Sequence, residues 1–357
     1  MDYLLPFLTA SISTLVLCLM ALKVFPLLEL MDKPKKYGLT RKPIPDSVGI
    51  LLYVIFVVVT MLYLPVSQYP AVIWILSAAG LLVLVSFVDD FYPLPPVLRL
   101  CVQVFVGSLV VYSGVGIHSI SNPFGAPLSL DGLITVIHGM PFGLLEGFEI
   151  IWLADLFTIF WIVVLINTMN WLDGINGLAS GVGLIASFAL FFLSSRPGFH
   201  MLDQDPVIIM SIVLAGIFLV FVAFDFYPAK MLMGDSGAMF LGFILAVLSI
   251  FSGGKVATAF LILGFPLLDF FWVILQRVAK GNSPFQGKDG LHLHTKLLHY
   301  GFSMRKVLML IYALSAVFGF SALFLGSMGK FVAVTIMALI MLVMVWLTAI
   351  PRENTMR

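Results

Sequence analysis

The sequence predicts an all-α polytopic integral membrane protein, and three observations carry the prediction. Of its 357 residues 61% are hydrophobic and only 10% are charged, against roughly a quarter charged in soluble domains. The apolar residues fall into long runs of about the 20 needed to cross a bilayer as helix. Basic residues crowd into the connections on one side of those runs. The net charge of +1 points to no nucleic-acid partner. Cys18 and Cys101 both lie in apolar runs and match no disulfide framework or metal spacing.

Eleven segments read as spans: about 3–24, 48–65, 70–88, 97–113, 150–168, 177–195, 206–225, 237–253, 256–276, 305–326 and 329–350. The first is long, lacks a basic leading region and lacks a small-residue cleavage site, so it reads as a retained helix and not a signal peptide. The whole chain, 1–357, reads as a single transmembrane catalytic domain.

Orientation follows from the basic residues. The connection 25–47 holds Lys33, Lys35, Lys36, Arg41 and Lys42, and the connection 277–304 holds Arg277, Lys280, Lys288 and Lys296. With eleven spans both fall on one side, while Arg196, Lys255 and Lys330 alone of the 19 basic residues fall on the other. This places the N-terminus outside and the C-terminus in the cytoplasm. The long outer connection, 114–149, has no Lys or Arg and contains alternating stretches such as PLSLDGLITVI, which suit a small hairpin or re-entrant piece.

On this topology four polar clusters reach the cytoplasmic face. VDDFYPLPP follows span 3, NTMNWLDGINGLA closes span 5, FDFYPAKMLMGDSGAMF joins spans 7 and 8, and GKDGLHLHTKLLHYGFS lies in the last large loop. Ionisable groups at membrane depth are costly and usually line a site, so the clusters read as one site built from four loops. Adjacent carboxylates such as Asp89 and Asp90 repel unless a cation or proton relieves them. Asp89, Asp90, Asp173 and Asp235 with the amides of Asn167, Asn170 and Asn176 form an oxygen-rich set of the kind that suits Mg²⁺ held with substrate phosphates. Asn167, Asn170 and Asp173 are spaced by three and share a helix face. Arg99 has the fork geometry that suits phosphate oxygens, and His292, His294 and His299 stand with Lys288 and Lys296 as a second phosphate-friendly group.

These clusters, in this order, resemble the polyprenyl-phosphate N-acetylhexosamine-1-phosphate transferases of the glycosyltransferase family 4 type, over about Asp32 to Ser303. The family's paired aspartates look like Asp89 and Asp90, and its following basic residue looks like Arg99. Its NxxNxxDGxxGL reads here as Asn167, Asn170, Asp173, Gly174, Gly177 and Leu178, and its PA[KR]xFMGDSGS as PAKMLMGDSGA. Its HxHH loop reads as His292 and His294 followed by Thr295. Asp225, Ala238, Gly290 and Asn176 stand where Asn, Ser, Arg and Asp are usual.

The resemblance implies transfer of HexNAc-1-phosphate, GlcNAc-1-phosphate first, from a UDP-sugar to polyprenyl (undecaprenyl) phosphate, releasing UMP and starting a lipid-linked envelope glycan. It implies catalytic roles for Asp89, Asp90 and Asp173, and metal ligation by Asp235 and Asn170 with Mg²⁺ or Mn²⁺. Arg99, Asn167, Asn176, His292 and His294 are the implied substrate contacts. The expected setting is the plasma (inner) membrane with the site facing the cytoplasm; the expected partners are UDP-HexNAc, polyprenyl phosphate, the bilayer and a second copy of the chain. Three other readings stand beside it: a phospho-MurNAc-pentapeptide transferase-type enzyme, a cation-coupled transporter, and a non-catalytic relative. The acids cluster at one face and no internal repeat is visible, which counts against the transporter.

Overall fold

The computed structural model describes residues 3–34, 40–136, 149–196, 203–252, 256–284 and 290–349. Lys35, Lys36, Lys255 and Lys288 lie outside the described residues, as does the segment 137–148 of the outer connection. The described chain is helical apart from two small antiparallel hairpins. The helices are α1 (Leu4–Leu27), α2 (Gly49–Tyr63), α3 (Pro70–Phe91), α4 (Pro96–Tyr112), α5 (Trp152–Leu172), α6 (Leu178–Ser194), α7 (Asp205–Asp225), α8 (Gly234–Phe251), α9 (Val256–Ile262), α10 (Gly264–Ala279), α11 (Leu293–His299), α12 (Met304–Ser321) and α13 (Ser327–Ala349).

Seven of these helices are long and apolar enough to cross a bilayer, or eight if α9 and α10 are taken as one broken span. α2, α4 and α6 are shorter apolar helices. The segment 256–276, expected as one straight span, is instead bent by 93° between α9 and α10. Pro266 in the first turn of α10 lacks an N–H and crowds the preceding turn, which favours the break at this point. α11 lies in what was read as a loop.

α7 and α8 are buried along most of their length and form the centre of the bundle, whereas α1 and α13 present most of their surface outward. Such an arrangement, with apolar side chains on the outside, is what a lipid solvent permits. α8 packs on α2, α3, α5 and α6. Its approach to α2 is a backbone contact: a Cβ on Gly49 would stand 2.1 Å from the nitrogen of Gly237. The segment before α2 also pairs with the turn before α8, through Val48 N–H to Leu232 O (3.2 Å), Gly49 N–H to Met233 O (2.9 Å) and Leu232 N–H to Pro45 O (2.8 Å).

The connection 114–149 carries the expected hairpin character: β1 (Ser119–Ile120) pairs with β2 (Leu128–Ser129). A second antiparallel pair, β3 (Ile134–Val136) with β4 (Glu149–Ile151), spans its end.

Candidate active site

Five helix ends converge on the site: the C-termini of α3, α5 and α7 and the N-termini of α6 and α8. α3 delivers Asp89 and Asp90 in its last turn, and α8 delivers Asp235 and Ser236 in its first. Asp90 binds both: its Oδ1 accepts the Asp235 N–H at 2.9 Å and its Oδ2 accepts the Ser236 hydroxyl at 3.0 Å. Asp89 instead accepts the Leu94 N–H at 2.5 Å, which folds the Pro-rich turn back against α3. Arg99 on α4 lies 3.1 Å from Asp89 Oδ2 and 3.8 Å from Asp235 Oδ2. The two adjacent aspartates thus have different partners, a helix end for one and a guanidinium for the other.

Asp173 follows the last residue of α5. Burial holds its carboxyl well above the usual carboxylate range, and Asp225, Asp235, Asp46 and Asp90 all push the same way. Gly177, at φ +88°, turns the chain from this point into α6. Asp225, at the end of α7, fixes that turn: its Oδ2 accepts the Gly177 N–H at 3.1 Å and the Ser180 hydroxyl at 2.5 Å. Tyr312 of α12 donates to the Gly177 carbonyl from the other side. Asn176 is half-buried in this turn and makes no side-chain hydrogen bond among the described residues.

Asn167 and Asn170 line a cavity of about 70 Å³ with Arg99, Gln103, Trp171 and Met239. The Asn170 amide faces Asp235, and its Nδ2 is buried without a partner. The histidines stand on the far side of Trp171. His292 Nδ1 hydrogen-bonds Asp269 Oδ2 at 2.9 Å, and the ring packs edge-on to the indole. His294 stacks on His292 with ring centroids 5.2 Å apart and lies against Gly174. Burial brings the His294 pKa down to about 4, so the ring is neutral at pH 7. Arg277 sits over the Trp171 ring at 4.5 Å.

The structure therefore brings Asp89, Asp90, Asp173, Asp235, Asn170 and Arg99 into one cluster, with Asn167 in the adjoining cavity and His292 and His294 beyond Trp171. Sequence reasoning missed Asp46, which approaches the cluster from the segment before α2. Burial raises its carboxyl to about 6, and Asp32 and Asp235 add to the rise. It also missed Gln103, a single amide in an apolar helix. Asp46 lies in a proline-containing loop that carries no motif; only its place one residue before Ser47 and the backbone pairing to Leu232 bring it in.

The donor set is chemically of the kind that suits a divalent cation, while the one group of three ligating atoms within 4.8 Å of one another among the described residues is Asp269, His292 and His294. Asp46, Asp89, Asp90, Asp173 and Asp235 crowd together with Arg99 as the only cation ion-paired to Asp89 or Asp235 among the described residues. The Asp235 side chain is 44% exposed, and so is open to a ligand. The Asn170 amide stands against Asp235, where its oxygen would join the carboxylate as a ligand to a shared cation. Hard carboxylate and amide oxygens of this kind suit Mg²⁺.

Known proteins resemble this chain over most of its length. Residues 72–253 match the profile of Glycosyl transferase family 4. The chain is 28% identical over 303 residues to a probable undecaprenyl-phosphate N-acetylglucosaminyl 1-phosphate transferase of Bacillus subtilis, covering 83% of this chain and 77% of the relative. It is 29% identical over 320 residues to a decaprenyl-phosphate N-acetylglucosaminephosphotransferase of Mycolicibacterium smegmatis, covering 81% and 73%. It is also 29% identical over 308 residues to an undecaprenyl-phosphate alpha-N-acetylglucosaminyl 1-phosphate transferase of Yersinia pestis, covering 82% and 75%.

Proposed function

The chain belongs to glycosyl transferase family 4, and from that premise we propose that it transfers GlcNAc-1-phosphate from UDP-GlcNAc to polyprenyl phosphate. An oxygen of the lipid phosphate attacks the β-phosphorus of the sugar nucleotide. The bond from that phosphorus to the bridging oxygen breaks, and UMP leaves with the electron pair. The observation that carries the reading is the convergence of Asp89, Asp90, Asp173, Asp235 and Arg99 at one end of the bundle.

Each group has a part in it. Arg99 binds phosphate oxygens from the mouth of the cavity. Asp89, held by Arg99 and the Leu94 amide, orients the lipid phosphate and takes its remaining proton. A phosphate monoester loses its second proton near pH 6, so a weak base suffices. Asp90 fixes the backbone that carries Asp235. Asp235 and Asn170 are the residues that would hold Mg²⁺, and the ion supplies charge neutralisation for the diphosphate. Asp173 shapes the same negative cluster. Asn167, Asn176, His292 and His294 contact the nucleotide and sugar.

The membrane arrangement follows the same reading. Counting the seven long helices, the bent α9–α10 pair and the three shorter apolar helices α2, α4 and α6 each as one crossing would make eleven. On that count the termini lie on opposite sides, and the basic connections favour an N-terminus outside and the C-terminus and the site in the cytoplasm, in a plasma (inner) membrane. The names of the relatives favour this substrate over the pentapeptide-linked sugar, and none of those names points to a transporter.

The experiment is UMP release from a panel of UDP-HexNAc donors with undecaprenyl phosphate and Mg²⁺, with Asp235→Ala alongside. UMP from UDP-GlcNAc, lost in the variant, is the expected result. UMP from none of the donors, with a folded protein, overturns the reading.

A further inference from the structure

In the cavity wall a half-buried asparagine, Asn167, is joined to a buried glutamine, Gln103. Asn167 Nδ2 donates to the Val163 carbonyl at 2.8 Å and to Gln103 Oε1 at 2.6 Å. A backbone carbonyl only accepts, so the contact with Val163 decides which end of the Asn167 amide carries the hydrogens. Gln103 must then present its oxygen to Asn167. Its own Nε2 is turned toward Met239 Sδ, 4.0 Å away, and the same sulfur accepts the Ser86 hydroxyl at 3.1 Å. Gln103 is 2% exposed, so water does not compete for these contacts.

Both hydrogens of Asn167 Nδ2 are consumed by this arrangement. Its Oδ1 is the end left without a bond among the described residues, in a side chain that lines the cavity beside Arg99 and Asn170. We propose that Gln103 is a positioning residue that acts through Asn167: by taking the second Nδ2 hydrogen it holds the amide, whose sense the Val163 carbonyl sets, at the angle at which the cavity wall offers a hydrogen-bond acceptor to a hydroxyl or N–H of the bound sugar nucleotide. The inference rests on the transferase reading above. It makes a single glutamine in an apolar helix, with its oxygen already committed, a determinant of substrate binding.

The test is a double-mutant cycle on kcat/KM with the purified full-length protein, UDP-GlcNAc and undecaprenyl phosphate, with the thermal unfolding midpoint measured in parallel. Gln103→Met keeps the length of the side chain and removes the acceptor oxygen. The expected result is a fall in kcat/KM of roughly tenfold, carried mainly by KM for the nucleotide sugar. In an Asn167→Ala background the same substitution should change kcat/KM by less than about twofold, because the group it positions is gone. Gln103→Glu, which retains an acceptor oxygen, should restore most of the loss. Equal losses in both backgrounds, following the unfolding midpoint, would assign Gln103 to packing alone and overturn the inference while leaving the transferase reading intact. Should Gln103→Met fail to fold, Met239→Leu releases the Gln103 amide from its other side; its loss must likewise vanish with Asn167→Ala, and persistence there overturns the inference. A wild-type protein that releases no UMP from any donor removes the transferase reading and this inference with it.

Discussion

Asp90 caps α8 at Asp235, the second residue of the helix. Its two oxygens accept the Asp235 N–H at 2.9 Å and the Ser236 hydroxyl at 3.0 Å, while Met233 at the N-cap position of α8 makes no side-chain cap bond. The cap is borrowed from α3, 145 residues away in sequence. A lost N-cap costs about 1 kcal/mol, and here it also frees the backbone that aims Asp235. Asp90→Ala is therefore expected to lower the unfolding midpoint in detergent by a few degrees and to abolish UMP release. Asp90→Asn keeps one good acceptor and should recover most of the midpoint but little of the turnover. An unchanged midpoint in Asp90→Ala would show that the cap contributes nothing.

Arg99 bridges Asp89 and Asp235 at 3.1 and 3.8 Å with a third of its side chain exposed. Both contacts are made by Nη1, which leaves the rest of the guanidinium fork for phosphate oxygens, and an ammonium cannot reproduce that fork. Arg99→Ala is expected to raise KM for polyprenyl phosphate by roughly tenfold or more, the range for loss of a charge-assisted bond. Arg99→Lys should fall between, keeping charge without the fork. Initial rates against lipid concentration decide it. A KM for the lipid that does not move in either variant would remove Arg99 from the acceptor site.

Gly49 and Gly237 set the distance between α2 and α8. A methyl on Gly49 would stand 2.1 Å from one backbone atom and 2.3 Å from another, so no side-chain adjustment relieves it. Gly49→Ala must push the α2 segment off the turn that carries Asp235. Overpacking of this kind costs about 1–3 kcal/mol, read as a lower midpoint together with lost turnover. Gly132, in the outer connection, has nothing within 4 Å of an added Cβ. Gly132→Ala is the matched control and should leave both measurements unchanged.

The sequence made the site more legible than the bundle. Each motif stands where a long apolar run ends, so a carboxylate such as Asp89 or Asp235 is conspicuous, and the four clusters did assemble at one end. The α9–α10 bend was hidden because residues 256–276 are apolar but for Thr258, Asp269 and Gln276, and Gly264 and Pro266 are both tolerated inside membrane helices. α11 spans seven residues, too few for a helical period to declare itself. Asp46 reaches the cluster through backbone bonds such as Val48 N–H to Leu232 O, which no side-chain pattern encodes. Gln103 was visible as an isolated polar residue, but its partners Asn167 and Met239 come from α5 and α8, and only packing brings them together.

Asp46 and His294 should give the cation-free protein opposing responses to acid. Burial lifts the Asp46 carboxyl to about 6. The folded state therefore binds that proton more tightly than the unfolded chain, and the contribution favours folding at low pH and is lost as pH rises through about 6. Burial moves His294 the other way, to about 4. The unfolded chain takes up that proton first, so stability present above about pH 6.5 is lost as pH falls toward 4. Asp173, also raised by burial, reinforces the direction of Asp46. Between pH 7 and 4.5, Asp46→Asn is expected to gain less stability on acidification than the wild type, and His294→Asn to gain more. At pH 7.5 without divalent cations Asp46→Asn should melt above the wild type, because it removes a carboxylate that the cluster must hold ionised. Added Mg²⁺ offsets the repulsion among the remaining carboxylates and should narrow that gap. Unfolding midpoints across this pH range, with and without Mg²⁺, test each sign separately. An Asp46→Asn protein that melts below the wild type at pH 7.5 would mean that its carboxylate is already compensated in the fold.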